Sequence, residues 1–243
     1  MSENLCYTDA YARETDAVVV ELDPDANAVL LDRTVFYPGG GGQPADTGEL
    51  VSDSGGTWRV TAAKKRGEEI WHTIEGELPA IDTRVVATLD WERRHQLMRT
   101  HSALYVLCGV VWRDHRASVT GGNMEPLSGR MDFEFETMSG ELVGEIEQRV
   151  NEEVDADCEI RVSILPREEA FAIPDLVRTK INLLPEGISE VRTIEIVGLD
   201  LQADGGTHVA STGEIGRVKV TGYESKGRIN KRIRIEVVDE GDR

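Results

Sequence analysis

The 243-residue sequence predicts an α+β protein, a small N-terminal β-barrel followed by an α+β domain with a mostly antiparallel sheet. Three observations carry this reading. Short β-rich runs separated by turn residues fill the first third of the chain, as in a small barrel. At Trp91 the apolar period lengthens to about 3.6 residues and holds for about six turns. Alternating strand patterns then return around a second amphipathic helix. The boundary falls at the change of period and gives domains of 1–88 and 89–243.

The elements follow in order. AVVVELDPDANAVLLD, Ala17 to Asp32, is two β-rich runs joined by the turn DPDAN, hence a hairpin. FYPGGGGQPADTG, Phe36 to Gly48, sets four glycines in a row, which suits a backbone with positive φ or one lying close against something else. TWRVTAAKK, EEIWHTIEG and TRVVATLD complete the barrel strands. Asp90 is placed to cap the long helix, in which Leu97, His101, Leu104, Tyr105 and Cys108 form one stripe expected to be buried. RASVTGG and GRMDFEF read as a strand pair, and Ser139 caps a helix over GELVGEIEQRVNEEVDAD. CEIRVSIL, VRTIEIVG, GRVKVTGY and KRIRIEVV supply the remaining strands, and the acidic end from Asp239 is expected to fray.

Composition narrows the function classes. No apolar run approaches the roughly 20 residues of a membrane helix, and the N-terminal residues lack a signal-peptide pattern, so a cytoplasmic protein is expected. Cys6, Cys108 and Cys158 are scattered without metal or redox spacing. Acidic residues outnumber basic ones by 45 to 27, for a net charge of −18. That charge normally argues against nucleic acid, and no DNA partner is expected, because phosphate binding rests on Lys and Arg. The basic residues are mostly arginine, and a carboxylate surface poor in lysine suits a salt-rich cytoplasm where self-repulsion is screened.

Two stretches could carry chemistry. His101 and Tyr105 stand four apart and project from one helix face, where a satisfied core histidine is the bland alternative. In DLQADGGTHVASTGEIG, Asp204 and His208 flank Gly205 and Gly206, which suits a loop around a metal ion or a plain turn. Together His101, Asp204 and His208 offer two imidazoles and a carboxylate, the ligand set of a catalytic zinc site with an open position. No Ser-His-Asp or Cys-His pattern is visible, and Cys108 reads as core. A phosphate-binding P-loop requires Lys-Ser or Lys-Thr after its glycines, whereas this run continues Gln-Pro.

The motifs GGQP-x-D-x-G, R-x-H-x-x-M-R-x-H-S-A-L, RMDF and DGGTHV-x-x-T-x-EIG, in that order, resemble the free-standing alanyl-tRNA editing proteins. The resemblance covers about Val18 to Val237. It implies ATP-independent hydrolysis of mischarged tRNA(Ala), bearing serine and sometimes glycine, at a zinc site served by a barrel and an editing domain. The family's H-x-x-x-H pair falls on His101 and Tyr105, and its C-x-x-x-H pair, also seen with Asp in first place, on Asp204 and His208. Tyr105 is the departure, because a neutral phenol is a poor zinc ligand. The resemblance places Gly41, Gly42 and Gln43 in a glycine motif facing the substrate, puts Tyr105 beside it, and gives Thr120 the sensing of the serine hydroxyl. A barrel turn and a strand threonine are the alternatives. Arg130 and Asp132 are expected to brace the site.

Contacts to the tRNA acceptor end are expected from Arg93, Arg94 and Arg99, and from Lys226, Arg228, Lys231, Arg232 and Arg234 near the C-terminus. Solvated strand charges are the alternative for each. Two other functions stay open: a non-catalytic tRNA-binding module whose site has decayed, and a zinc amidase or esterase for small substrates.

Overall fold

The computed structural model describes residues 2–178 and 188–239. Residues 240–243, the greater part of the end expected to fray, lie outside the described residues. The chain divides into two compact units, Met1–Gln96 and Leu97–Arg243. The fold is α+β with mostly antiparallel sheets, as the sequence predicts.

The first unit holds β1 (Glu3–Asn4), β2 (Glu14–Asp23), β3 (Ala28–Leu31), β4 (Arg33–Thr34), β5 (Gly48–Ser52), β6 (Thr57–Arg66), β7 (Glu69–Ile74) and β8 (Arg84–Leu89). Six of them close into a barrel in the order β2-β3-β7-β6-β5-β8, while β1 pairs in parallel with β4. The expected hairpin is β2–β3, and its turn ends on Asn27 at φ 47°, a conformation Asn tolerates. The Asn27 amide nitrogen also donates to the Ile74 carbonyl at 2.6 Å, which fixes the turn against β7. Val19, Leu31, Phe36, Leu50, Val60, Ile70 and Ala87 are all fully buried inside the barrel. Each large side chain sealed this way contributes about 1.5–3 kcal/mol of transfer free energy. Gly48 has a steric role, since a Cβ there would sit 2.2 Å from the Thr88 carbonyl oxygen.

Arg94 corrects the sequence reading. Its side chain is wholly buried and ion-paired with Asp46, so it has no surface to offer a phosphate. Its Nε donates to both Asp46 oxygens at 3.0 and 2.9 Å, Nη1 to the Ala10 carbonyl at 2.9 Å and Nη2 to the Val35 carbonyl at 2.8 Å. Asp46 in turn accepts the Tyr37 N–H at 2.7 Å, so the pair holds both feet of the glycine loop.

α1 (Trp91–His115) leaves the first unit and enters the second. Asp90 caps it, accepting the Arg93 N–H at 3.1 Å. The expected stripe is buried apart from a half-buried Tyr105, but burial extends around the helix to Met98, Ala103, Val106, Leu107, Val110 and Val111. A helix apolar on most sides belongs to a core rather than a surface.

The second unit adds β9 (Val119–Glu125), β10 (Ser128–Glu134), α2 (Gly140–Asp155), β11 (Ile160–Pro166), α3 (Arg167–Ala172), β12 (Glu190–Ile196), β13 (Asp200–Ala203), β14 (Arg217–Ser225) and β15 (Asn230–Val238). They form a four-stranded sheet, β14-β15-β10-β9, and a three-stranded sheet, β11-β12-β13. Leu104 and Thr100 of α1 press on β10 at Gly129, where a Cβ would lie 3.0 Å from a Leu104 methyl. α2 starts as predicted, with the Ser139 hydroxyl accepting the Leu142 N–H. Its Asn151 joins it to β14 through bonds to the Val218 carbonyl and N–H at 2.8 and 3.0 Å.

Candidate metal centre

One helical turn separates His101 from Tyr105, so α1 presents both rings on one side. The other half of the centre is the loop that follows β13. There the Asp204 carboxylate accepts the Gly206 N–H through Oδ2 at 2.6 Å, closing a tight turn that returns His208 toward Asp204. Neither Gly205 nor Gly206 is among the left-handed glycines, so the loop turns on this side-chain bond rather than on positive φ.

The ligand atoms of His101, Asp204 and His208 all lie within 4.8 Å of one another. His208 Nε2 is 3.1 Å from Asp204 Oδ2, and His101 Nε2 is 3.8 Å from Asp204 Oδ1. Donors bonded to a tetrahedral zinc at about 2.0–2.2 Å stand roughly 3.3–3.6 Å apart, so the observed spacings bracket what the ion requires. The two imidazoles stack with centroids 4.2 Å apart, and Tyr105 lies edge-on to both. Asp204 and His208 thus fit the expected pair, and the three donors fit a zinc-type ion.

Electrostatics favour the same use. Burial pushes the His101 imidazole down to about 3, aided by His208 and Arg192, so the ring is neutral at pH 7. Burial also lowers His208. Burial opposes the charge on Asp204, yet His101, His208 and Arg192 hold its carboxyl well below the usual range. Two neutral imidazoles and a carboxylate are the protonation states a metal needs. Tyr105 is a different case. Burial and the neighbouring Asp204, to which it is hydrogen-bonded, push the phenol well above its ordinary value. It is therefore a neutral donor to Asp204 in this structure.

Arg192, on β12, was not singled out by the sequence. Its Nη1 donates to the Asp204 backbone carbonyl at 3.1 Å and stands 3.8 Å from Oδ2. Ser102 was quoted only as part of a motif, and its Oγ lies 3.1 Å from His208 Nδ1. An arginine inside a strand pattern gives no sequence signal of its partner.

Residues 7–93 match the model described as tRNA synthetases class II (A), and residues 191–234 match that of the threonyl and alanyl tRNA synthetase second additional domain. The chain is 40% identical to the alanyl-tRNA editing protein AlaX-M of Saccharolobus solfataricus, over 96% of this chain and 98% of that protein. It is 36% identical to the AlaX-M protein of Methanosarcina barkeri, over 98% of this chain and all of that one. The chain belongs to the alanyl-tRNA editing protein family. It is also 36% identical to the alanine–tRNA ligase of Pyrobaculum aerophilum, over 92% of this chain but 25% of the ligase. One quarter of that ligase thus corresponds to nearly all of this editing-family chain.

The other residues expected to serve an editing site are each described within their own unit. Thr120 lies at an irregularity of β9 and donates to Asn230 Oδ1 at 2.8 Å, at an exposed position. In the glycine loop, Gly39 to Gly42 all have positive φ, Gly40 and Gly41 are exposed, and Gln43 is buried. Gly40 and Gln43 exchange backbone hydrogen bonds at 3.0 and 2.9 Å, which makes the loop a closed four-residue turn. Asp132 braces β10 to β15 by accepting both Arg232 bonds at 2.7 and 2.8 Å, with Arg130 3.2 Å away.

The basic residues separate into two kinds. Lys231 is buried and its ammonium bonds the Gly227 and Arg228 carbonyls, so it closes the β14–β15 hairpin and, against expectation, is withdrawn from phosphate. Arg99 is held by the Ile215 carbonyl and Asp239, and Arg234 by Glu224 at 2.5 Å. Arg93 is half-buried, while Lys226 and Arg228 are exposed at the hairpin tip.

Proposed function

We propose that this protein is a trans-editing hydrolase that removes serine, and to a lesser degree glycine, from mischarged tRNA(Ala) at a zinc site held by His101, Asp204 and His208. Membership of the alanyl-tRNA editing family supports an aminoacyl-tRNA hydrolase acting on tRNA(Ala). The observation that carries the metal reading is the meeting of the three donors within 4.8 Å, two neutral and one ionised.

The ester bond of an aminoacyl-tRNA hydrolyses by water attack on its carbonyl, with charge building on the carbonyl oxygen. A bound zinc would supply a positive centre that anchors the aminoacyl group or polarises water. The protein's own part is to keep the ligands in the charge states a metal needs. Arg192 and Tyr105 hold the Asp204 carboxylate, and burial keeps both imidazoles neutral. With three ligands a fourth position stays open, the condition for a catalytic rather than structural zinc. Tyr105 would border that position and contact the substrate. The two domains, 1–88 and 89–243, would serve as glycine-loop barrel and metal-binding editing domain, with Gly41, Gly42 and Gln43 toward the substrate. Lys226 and Arg228 are the basic residues best disposed to touch acceptor-end phosphates, with Arg93 and Arg232 secondary because they are partly buried or already paired.

The test is deacylation of Ser-tRNA(Ala) beside Ala-tRNA(Ala) in high salt, for wild type and His208→Ala, with metal content read on the same preparations. Release of serine but not alanine, with His208→Ala losing both activity and metal, is the expected result. Binding of tRNA without cleavage of either ester would instead identify a non-catalytic module, and cleavage of free amino-acid esters without tRNA preference a small-molecule esterase.

A further inference from the structure

The two histidines of the centre are not equivalent. His101 turns Nε2 toward Asp204 Oδ1, 3.8 Å away.

His208 is set differently. Its Nδ1 faces Ser102 Oγ at 3.1 Å, and its Nε2 faces Asp204 Oδ2 at 3.1 Å. Ser102 is fully buried and sits in mid-helix, and its oxygen already accepts the Val209 N–H at 3.2 Å. A hydroxyl has one proton and two acceptor lone pairs, so toward His208 it can donate or accept. Asp204 Oδ2 already accepts the Gly206 N–H, so it faces His208 as an acceptor, and a neutral His208 meets it only by donating from Nε2. The arrangement with every buried group paired is then a relay: the Val209 N–H donates to Ser102, the Ser102 O–H to Nδ1, and the Nε2–H to Asp204. That tautomer has no lone pair on Nε2 for a metal.

We infer that Ser102 is a positioning residue that switches His208 between two tautomers, donating to Nδ1 when no metal is bound and accepting from Nδ1–H when Nε2 becomes a ligand. The inference rests on the metal reading above. In the change, Nε2 gives one proton to solvent and Nδ1 takes one up, so the net proton count is unchanged. Alanine at position 102 would leave both the Val209 N–H and the ligand tautomer's Nδ1–H unpaired in a buried site. Threonine keeps the hydroxyl.

The experiment is nitrogen-15 NMR of the histidine side chains, metal-free and with one equivalent of zinc, alongside zinc affinity by chelator competition for wild type, Ser102→Ala and Ser102→Thr. The expected result is Nε2–H on His208 without metal and Nδ1–H with it. Ser102→Ala should bind zinc about 10–100-fold more weakly, and Ser102→Thr should restore most of that loss. A metal-free His208 already carrying Nδ1–H, or Ser102→Ala with wild-type affinity, overturns the switch and leaves the metal centre standing. Failure of the wild type to bind zinc overturns both. The wild-type tautomer measurement decides the switch even where Ser102→Ala fails to fold.

Discussion

The buried Arg94–Asp46 pair makes the sharpest stability prediction. Asp46→Ala leaves the guanidinium fully buried without its counter-ion, although the Ala10 and Val35 carbonyls still accept from it. It also strips the Tyr37 N–H of its side-chain acceptor. Breaking a buried pair from one side costs about 3–5 kcal/mol, and an orphaned buried polar group about 1–3 kcal/mol. Arg94→Met keeps the volume but strands the carboxylate and both carbonyls, so it falls in the same range. The double variant removes the stranded charges together, so its loss should be smaller than the sum of the two by about 2 kcal/mol or more. Equilibrium urea unfolding, followed by far-ultraviolet circular dichroism at fixed salt, supplies the four corners of the cycle. Additive losses, or a single variant costing under about 1 kcal/mol, would refute the claim that the two charges are buried for each other's sake.

Four further outcomes follow from the same geometry. Burial pushes His72 down to about 4, while its ring contacts the Thr34 hydroxyl and the Val29 carbonyl; the unfolded chain protonates near 6.5, so stability is lost as pH falls through that window. The loss attributable to His72 is about 2 kcal/mol between pH 7 and 5, and His72→Gln should flatten the pH dependence of urea midpoints by that amount. Gly216 has φ 81° and ψ −171°, and a Cβ there would lie 2.6 Å from Arg99 Nη2 and 2.8 Å from the Val238 carbonyl; Gly216→Ala should therefore cost about 1–3 kcal/mol by the same unfolding assay, and a neutral result would rule out the strained backbone. Cys108 is buried and pushed up to about 12, and it donates to Gln202, so iodoacetamide followed by mass spectrometry should leave it unmodified in the native protein at pH 8 while labelling it after unfolding. Removing Lys226 and Arg228 together should weaken tRNA binding and reduce the slope of log K against log salt by about 1.4–1.8, with the cleavage rate at saturating tRNA unchanged; an unchanged slope would place the tRNA elsewhere.

Much of the fold was legible because short-range patterns decide it. Alternating apolar residues from Ala17 onward make barrel strands, Asp90 and Ser139 announce their helices, and the DPDAN turn closes its hairpin. The three candidate metal donors were legible for a similar reason. His101 is tied to Tyr105 by one helical turn, and Asp204 to His208 by a loop short enough to return on itself. Long-range partnership is where local reading fails. Arg94 looks like a solvated residue in a first helical turn, and only a carboxylate 48 positions earlier reverses that inference. Lys231 falls in an apparently basic strand, yet the carbonyls of its own hairpin take its ammonium out of solvent. Ser102 is the extreme case, because an uncharged helix interior serine is neutral on every local scale. Its significance lies in facing a histidine 106 residues away whose second nitrogen is committed to Asp204. In each instance the chemistry turns on which atom is left to accept or donate after tertiary partners have taken theirs. A linear reading can bring forward the candidate ligands of this centre, but the groups that bond those ligands include residues it has no reason to single out.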